Sequence, residues 1–176
     1  FNHSCFCNAA EIDGAVVSLR QIAPGEEVSI SYISGVLHSS RTMLLLMPNR
    51  MRRPILKEHI FGFECLCGRC CGHEAQGIEH EMDAVVDLKD FDWSKVPRDL
   101  LQAPVSFHES FTEQAKDLLA KHSMNVYAIA PLLPAVAVLT MDPFWIEACA
   151  MAFRKWLPPL FPATKTVEDM LTMRMS

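Results

Sequence analysis

The sequence predicts an α+β chain: a front of short strands that runs into a cysteine-rich segment, followed by an α-helical C-terminal region. Three observations lead there. Asp13-Gly14 stands between two short apolar runs, the signature of a tight β-hairpin. Cys65, Cys67 and Cys70 put three thiols within six residues, a density that points to a metal site rather than to core packing. Beyond residue 105 the apolar residues recur at helical spacing.

The 176 residues, half of them hydrophobic, are enough to bury a core. A net charge of -5 with only 16 basic residues gives no electrostatic basis for direct nucleic-acid binding, and the one basic run, Arg50 to Lys57, is short and interrupted by Pro54. The 7 cysteines are odd in number and clustered, unlike a disulfide framework, and imply a reducing compartment, nucleus or cytoplasm. The longest apolar stretch, Met124 to Met141, is broken by Asn125, Pro131 and Pro134 and reads as a buried helix pair rather than a membrane span. Phe1 opens inside a motif without an initiator Met, so a longer parent protein is expected.

In chain order, Ala9 to Ile12 and Ala15 to Leu19 form the arms of the hairpin. Pro24-Gly25 is a second turn, and Val28, Ile30 and Tyr32 alternate with Ser29 and Ser31 as a strand with one buried face that ends at Tyr32. Ser34 to Arg53 reads as helix, with Arg41, Leu44, Leu45 and Met47 at usable spacing, interrupted at Pro48 and Pro54. From Gly72 to Pro104 the composition is polar and acidic and reads as a connection with at most short helices. After it, Ser106 with Glu109 reads as a capping box ahead of Phe107, Phe111, Leu118 and Leu119. Asp142-Pro143 opens a helix striped by Trp145, Cys149, Phe153 and Trp156, and Thr166 with Asp169 caps a last short one. The boundaries follow: 1–57, a metal-binding segment 58–73, an acidic connection 74–104, and a helical region 105–176.

A tetrahedral zinc site needs four ligands. Cys65, Cys67 and Cys70 supply three, and Cys5, Cys7, Cys71 and His73 are candidates for the fourth. A remote fourth ligand makes the metal a clip between the start of the chain and its middle. A Cys-x-x-Cys redox pair at Cys67 and Cys70 is a more distant reading, because Cys65 is extra and no thioredoxin-like context surrounds it.

Taken in order, Asn2-His3-Ser4-Cys5-Phe6-Cys7-Asn8, Gly25-Glu26-Glu27-Val28, Ser31-Tyr32, Arg41 and Phe61-Gly62-Phe63-Glu64-Cys65-Leu66-Cys67-Gly68-Arg69-Cys70 resemble the C-terminal part of the SET domain, with its post-SET cluster, of the SET and MYND class of lysine methyltransferases. The resemblance covers Asn2 to Cys70. It implies a short-stranded SET-type β-fold with a knot-like segment in which cofactor and peptide enter from opposite faces. It also implies that Asn2 and His3 contact S-adenosylmethionine, that Phe63 packs on its adenine, and that Cys5 is the fourth Zn(2+) ligand beside Cys65, Cys67 and Cys70. Tyr32 is then the catalytic phenol, with Ile30 and Phe61 lining the substrate channel. The family's proline is Cys7 here, and its usual tyrosine is Phe61. The family's glycine-rich cofactor strand and MYND module, which precede this point in the family, do not appear in the sequence; a Gly-x-Gly segment upstream would favour the enzyme and its absence an inactive remnant.

The partner this implies is a protein substrate, histone or non-histone, offering a lysine side chain, and the chain as cut is expected to be inactive alone and poorly soluble. The competing reading is a catalytically inactive SET remnant that acts as a zinc-stabilised protein-interaction module and uses Trp145, Phe153 and Trp156, although aromatics at helical spacing are usually core. The acidic residues between Glu79 and Asp92 read as a solvated surface.

Overall fold

A computed structural model describes residues 2–12, 14–33, 40–60, 62–71, 82, 85, 88, 95–157 and 162–175. Two small sheets lie at the front. In one, β1 (Asn2–His3) pairs in parallel with β4 (Ser29–Ile30), Asn2 opposite Ser29 and His3 opposite Ile30. In the other, β2 (Ala9–Ile12) pairs antiparallel with β3 (Ala15–Ser18), and Gly14 takes the positive φ of 78° that the tight turn demands. The expected hairpin is therefore present.

The strand expected to end at Tyr32 is shorter than its alternation implied. The Ser31 hydroxyl accepts from the Ile33 N–H at 3.3 Å, a local turn that competes with strand pairing and stops β4 at Ile30. Ser31 and Ile33 face inward, whereas Tyr32 is 39 % exposed. The expected burial is thus reversed at Ser31 and Tyr32, while Val28, Ser29 and Ile30 are all half-buried.

Of the helix expected over 34–53, residues 34–39 lie outside those described. Ser40–Leu46 is a 3-10 helix, and α1 (Asn49–Ile55) starts after Pro48. Pro54 does not interrupt α1. Its ring is exposed, the chain widens into a π-helical turn at Leu56–Ile60, and the Leu56 N–H reaches the carbonyls of Arg52 and Arg53. The short α2 (Gly68–Cys71) follows.

The C-terminal part holds α3 (Val105–Lys121), the 3-10 helix Val126–Leu132, α4 (Leu133–Thr140), α5 (Pro143–Trp156) and α6 (Pro162–Met175), each α-helix packed on the next. Asp142 caps α5 as expected, accepting from the Phe144 N–H at 2.8 Å. Ser106 caps nothing: α3 begins one residue earlier, where Pro104, at ψ 149°, supplies the extended entry and its carbonyl takes the Phe107 and His108 N–H groups. The last helix is longer than expected. Thr166 lies inside it, Pro162 occupies its first position, and Asp169 pairs with Lys165 at 3.0 Å.

One apolar cluster joins the two parts. Met43 to Met47 are buried in an unbroken run, and the 3-10 helix that carries the first four of them packs on Val126–Leu132, α4 and α5. Met82, Val85, Leu88 and Leu100 of the connecting stretch are also buried in this cluster. No helix among the described residues is long and apolar enough to cross a membrane.

Candidate metal centre

Cys5 stands in the turn after β1, and Cys67 stands just before α2, which carries Cys70. The first turn of that helix, with Cys70 N–H donating to the Cys67 carbonyl at 2.8 Å, folds the two thiols back onto one side, and Cys65 approaches from the preceding extended stretch. The four sulfurs of Cys5, Cys65, Cys67 and Cys70 lie within 4.8 Å of one another. Cys5 Sγ is 3.8 Å from Cys65 Sγ and 3.7 Å from Cys70 Sγ. Zinc–sulfur bonds of about 2.3 Å at tetrahedral angles separate the sulfurs by about 3.8 Å, so the spacing fits a metal ion and is compatible with zinc. Cys7 is buried outside the group, with burial pushing its thiol up to about 11, and Cys71 is exposed. His73 lies outside the described residues. The remote member of the set is therefore Cys5, 60 positions from Cys65.

The protons of these thiols are strongly interdependent. Hydrogen bonds from Cys5, Cys65 and Cys70 hold the Cys67 thiol well below its ordinary range, and those from Cys5 and Cys65 bring Cys70 down to about 7. Hydrogen bonds with Cys65, Cys67 and Cys70, then burial, push Cys5 up. Four thiols packed so closely resist losing all their protons together unless a cation joins them.

Part of the needed positive charge is built in. Arg52 and Arg69 are buried, at 0 % and 2 % exposure. Arg52 donates from Nη1 to the Met47 carbonyl and places Nη2 3.7 Å from Cys70 Sγ. Arg69 donates to the carbonyls of Leu45 at 3.1 Å and Cys5 at 3.5 Å, and meets Met82 Sδ at 3.1 Å. Four thiolates around a divalent ion would leave a double negative charge, and the Arg52 guanidinium beside Cys70 would offset part of it where water cannot, while Arg69 ties the Cys5 backbone to that of Leu45. Sequence reasoning missed both arginines. The one signal for Arg69 was its place between Cys67 and Cys70, and Arg52 was hidden inside the short basic run Arg50 to Lys57.

His3 borders the cluster. Its Nδ1 accepts the Tyr32 backbone N–H at 3.1 Å, and its Nε2 lies 3.2 Å from Cys5 Sγ. Its ring centroid is 5.1 Å from that of Tyr32 and 5.8 Å from that of Phe63, the latter edge-on. Burial, foremost, pushes its imidazole below the ordinary value. Asn2 is exposed and donates to Glu27 Oε1 at 2.5 Å. Ile30 is half-buried, its carbonyl accepting the Ser4 N–H at 2.9 Å, while Phe61 lies outside the described residues. Three of the residues singled out in the sequence, His3, Tyr32 and Phe63, are thus neighbours beside the thiol cluster; Asn2 points its amide at Glu27.

Asn8 had no assigned role in the sequence. Buried at 2 % exposure, it accepts the Ser29 N–H at 2.9 Å through Oδ1 and donates from Nδ2 to the Glu27 carbonyl and to Glu26 Oε1, each at 2.9 Å. It thereby ties the entry of β4 to the turn after Cys7.

Comparison with protein-family models and with curated proteins gives no match. The likeness to SET domains stands on the residues quoted above.

Proposed function

We propose that this chain carries the C-terminal part of the catalytic domain of an S-adenosylmethionine-dependent protein-lysine N-methyltransferase, with zinc bound by Cys5, Cys65, Cys67 and Cys70. The observation that supports this most is the meeting of His3, Tyr32 and Phe63 beside the thiol cluster, with ring centroids 5.1 Å and 5.8 Å apart. The parallel pairing of Asn2–His3 with Ser29–Ile30, which sets the expected cofactor segment beside the strand ahead of Tyr32, also supports this reading.

When bound, S-adenosylmethionine supplies a methyl group already activated on a sulfonium, so the protein's task is alignment and desolvation. Phe63, half-buried against His3, offers an aromatic face for the adenine. His3 has both ring nitrogens hydrogen-bonded, which fixes the orientation of the ring beside Phe63. The Tyr32 hydroxyl orients the incoming lysine amine, and Ile30 contributes an apolar wall that restrains no proton. The amine must arrive neutral, and a dry channel lowers its pKa in that direction.

The competing reading, an inactive remnant that docks partners through Trp145, Phe153 and Trp156, loses its docking surface: these rings are 5 %, 0 % and 2 % exposed and belong to the core.

Calorimetric titration of S-adenosylmethionine into the zinc-loaded chain, beside a Tyr32→Phe variant, tests the proposal. Binding to both is expected, because Tyr32 acts on the amine and not on the cofactor. Absence of binding to either chain would overturn the assignment of Asn2, His3 and Phe63 as cofactor residues.

A further inference from the structure

The two ring nitrogens of His3 serve two sites at once. Tyr32 N–H is a donor with no alternative role, so the bond of 3.1 Å to His3 Nδ1 requires that nitrogen to be bare. A neutral imidazole with a bare Nδ1 carries its proton on Nε2, and Nε2 faces Cys5 Sγ at 3.2 Å. The second contact is then an N–H donated to sulfur, and it is strongest when that sulfur is a thiolate, the form a metal requires. The opposite tautomer would lose both contacts: its proton would meet the Tyr32 N–H, and a bare Nε2 would face a thiolate.

The backbone favours the same arrangement. His3 lies in β1, opposite Ile30 of β4, and β4 ends two residues before Tyr32. The Tyr32 ring stacks on the imidazole at 5.1 Å between centroids, tilted by 44°. Tyr32 itself lies in a turn outside the strand and is 39 % exposed, so strand pairing does not fix it. The bond to His3 ties its backbone to β1.

We propose that His3 is a positioning residue that couples the metal-loaded thiolate of Cys5 to the backbone of Tyr32, so that loading the metal sets where the phenol stands. A metal that only clips two chain segments together would leave the Tyr32 amide indifferent to loss of the His3 imidazole at full metal loading. Here the ligand sulfur, the imidazole and the tyrosine amide form one hydrogen-bonded line, Cys5 Sγ, His3 Nε2–H, His3 Nδ1 and Tyr32 N–H. The coupling is a matter of geometry; only its use in positioning an amine rests on the methyltransferase reading.

The decisive measurement is the tautomer itself. In the zinc-loaded chain labelled with nitrogen-15 at histidine, His3 is expected to show a protonated Nε2 and a bare Nδ1; a proton on Nδ1 overturns the proposal. This needs no variant that has to fold. A His3→Phe chain then keeps the ring and removes both hydrogen bonds. At saturating zinc, exchange of the Tyr32 amide is expected to quicken about tenfold and metal affinity to fall about tenfold, the low end for the loss of a group bonded to a ligand. In the cobalt-substituted variant the sulfur-to-metal charge-transfer band is expected to move to lower energy, because the thiolate has lost a hydrogen-bond donor. An unchanged Tyr32 amide together with an unchanged band would also overturn the coupling. Loss of S-adenosylmethionine binding with the tautomer intact would instead sink the methyltransferase reading and leave the coupling standing.

Discussion

The two ends of this chain are held together by different physics. Residues 2–71 contain strands of two to four residues and short helices, and their order comes from thiols, buried guanidinium groups and side-chain hydrogen bonds to backbone. Residues 105–175 contain α-helices of up to 17 residues whose apolar faces close on one another, with Phe111, Ile146, Phe153 and Trp156 buried and few polar ties between helices. Short strands bury too little surface to hold themselves, so the front depends on point contacts that each fix one segment; the back depends on area, to which no single contact is essential. A site that must place several side chains to within fractions of an ångström is better served by the first kind of order.

The sharpest test of this contrast is removal of the metal. Structural zinc contributes about 10–16 kcal/mol of apparent binding free energy in small domains, and the same term is expected to organise the front here. A strong chelator should abolish amide protection around Cys5, Cys67 and Tyr32 while the far-ultraviolet helical signal of α3 to α6 persists. Acid should act in the same direction, because protons compete with the metal for the thiolates, so affinity falls as pH falls. Equal loss of helical signal would show one cooperative unit and end the comparison.

The complementary change is Phe153→Ala in α5. That ring is 0 % exposed, and deleting such a side chain costs about 3–5 kcal/mol. The melting temperature should drop while zinc affinity, read by competition with a chromophoric chelator, changes less than about twofold, as expected for sites that share no partner. A parallel loss of affinity would show that the buried run Met43 to Met47 carries strain from the helical part into the cluster.

Between these in character stands Arg52→Met. The substitution keeps an unbranched apolar stem and removes the guanidinium 3.7 Å from Cys70 Sγ. If Arg52 offsets the thiolate charge, zinc affinity should fall about 10–100-fold, the range for groups bonded to metal ligands. Unchanged affinity would mean that Arg52 serves only the Met47 carbonyl.

These residues also mark how far the sequence could be read. The hairpin, the Asp142 cap, the three clustered cysteines and the aromatic stripe of α5 were legible because each is fixed by local chemistry: a glycine that must take positive φ, a carboxylate ahead of Pro143, a spacing that wraps a metal, a helical period. Arg52 and Arg69 were illegible because burying a charge runs against composition, and only the fold reveals the Cys70 sulfur beside Arg52 and the carbonyls that receive Arg69. The turn at Tyr32 was hidden because Ser31 reads equally well as the polar face of a strand, and its hydroxyl decides otherwise by capping Ile33. Both engagements of His3 join segments 29 residues apart in one direction and 2 in the other, and periodicity reports no such pairing.

The smallest expected effect lies at Glu26, and it probes how the polar front holds its strand. Glu26 accepts from Arg20, from the Ala23 N–H at 3.0 Å and from Asn8 Nδ2 at 2.9 Å, and the Arg20 contact, foremost, holds its carboxyl down at about 2. A depressed carboxyl contributes stability that is fully present above its ordinary value of 4.5 and is lost as pH falls through about 2. Arg20→Ala should therefore raise the Glu26 midpoint toward 4.5, measured by carboxyl carbon NMR, with little change in global stability because the pair is solvated. Protonating Glu26 weakens its hold on the Asn8 amide, whose other end receives the Ser29 N–H at the start of β4. The Ser29 amide shift should thus follow the Glu26 titration, while amides of α5 remain still. A Ser29 signal that ignores the titration would show that Asn8 holds β4 without help from Glu26, through the Glu27 carbonyl alone.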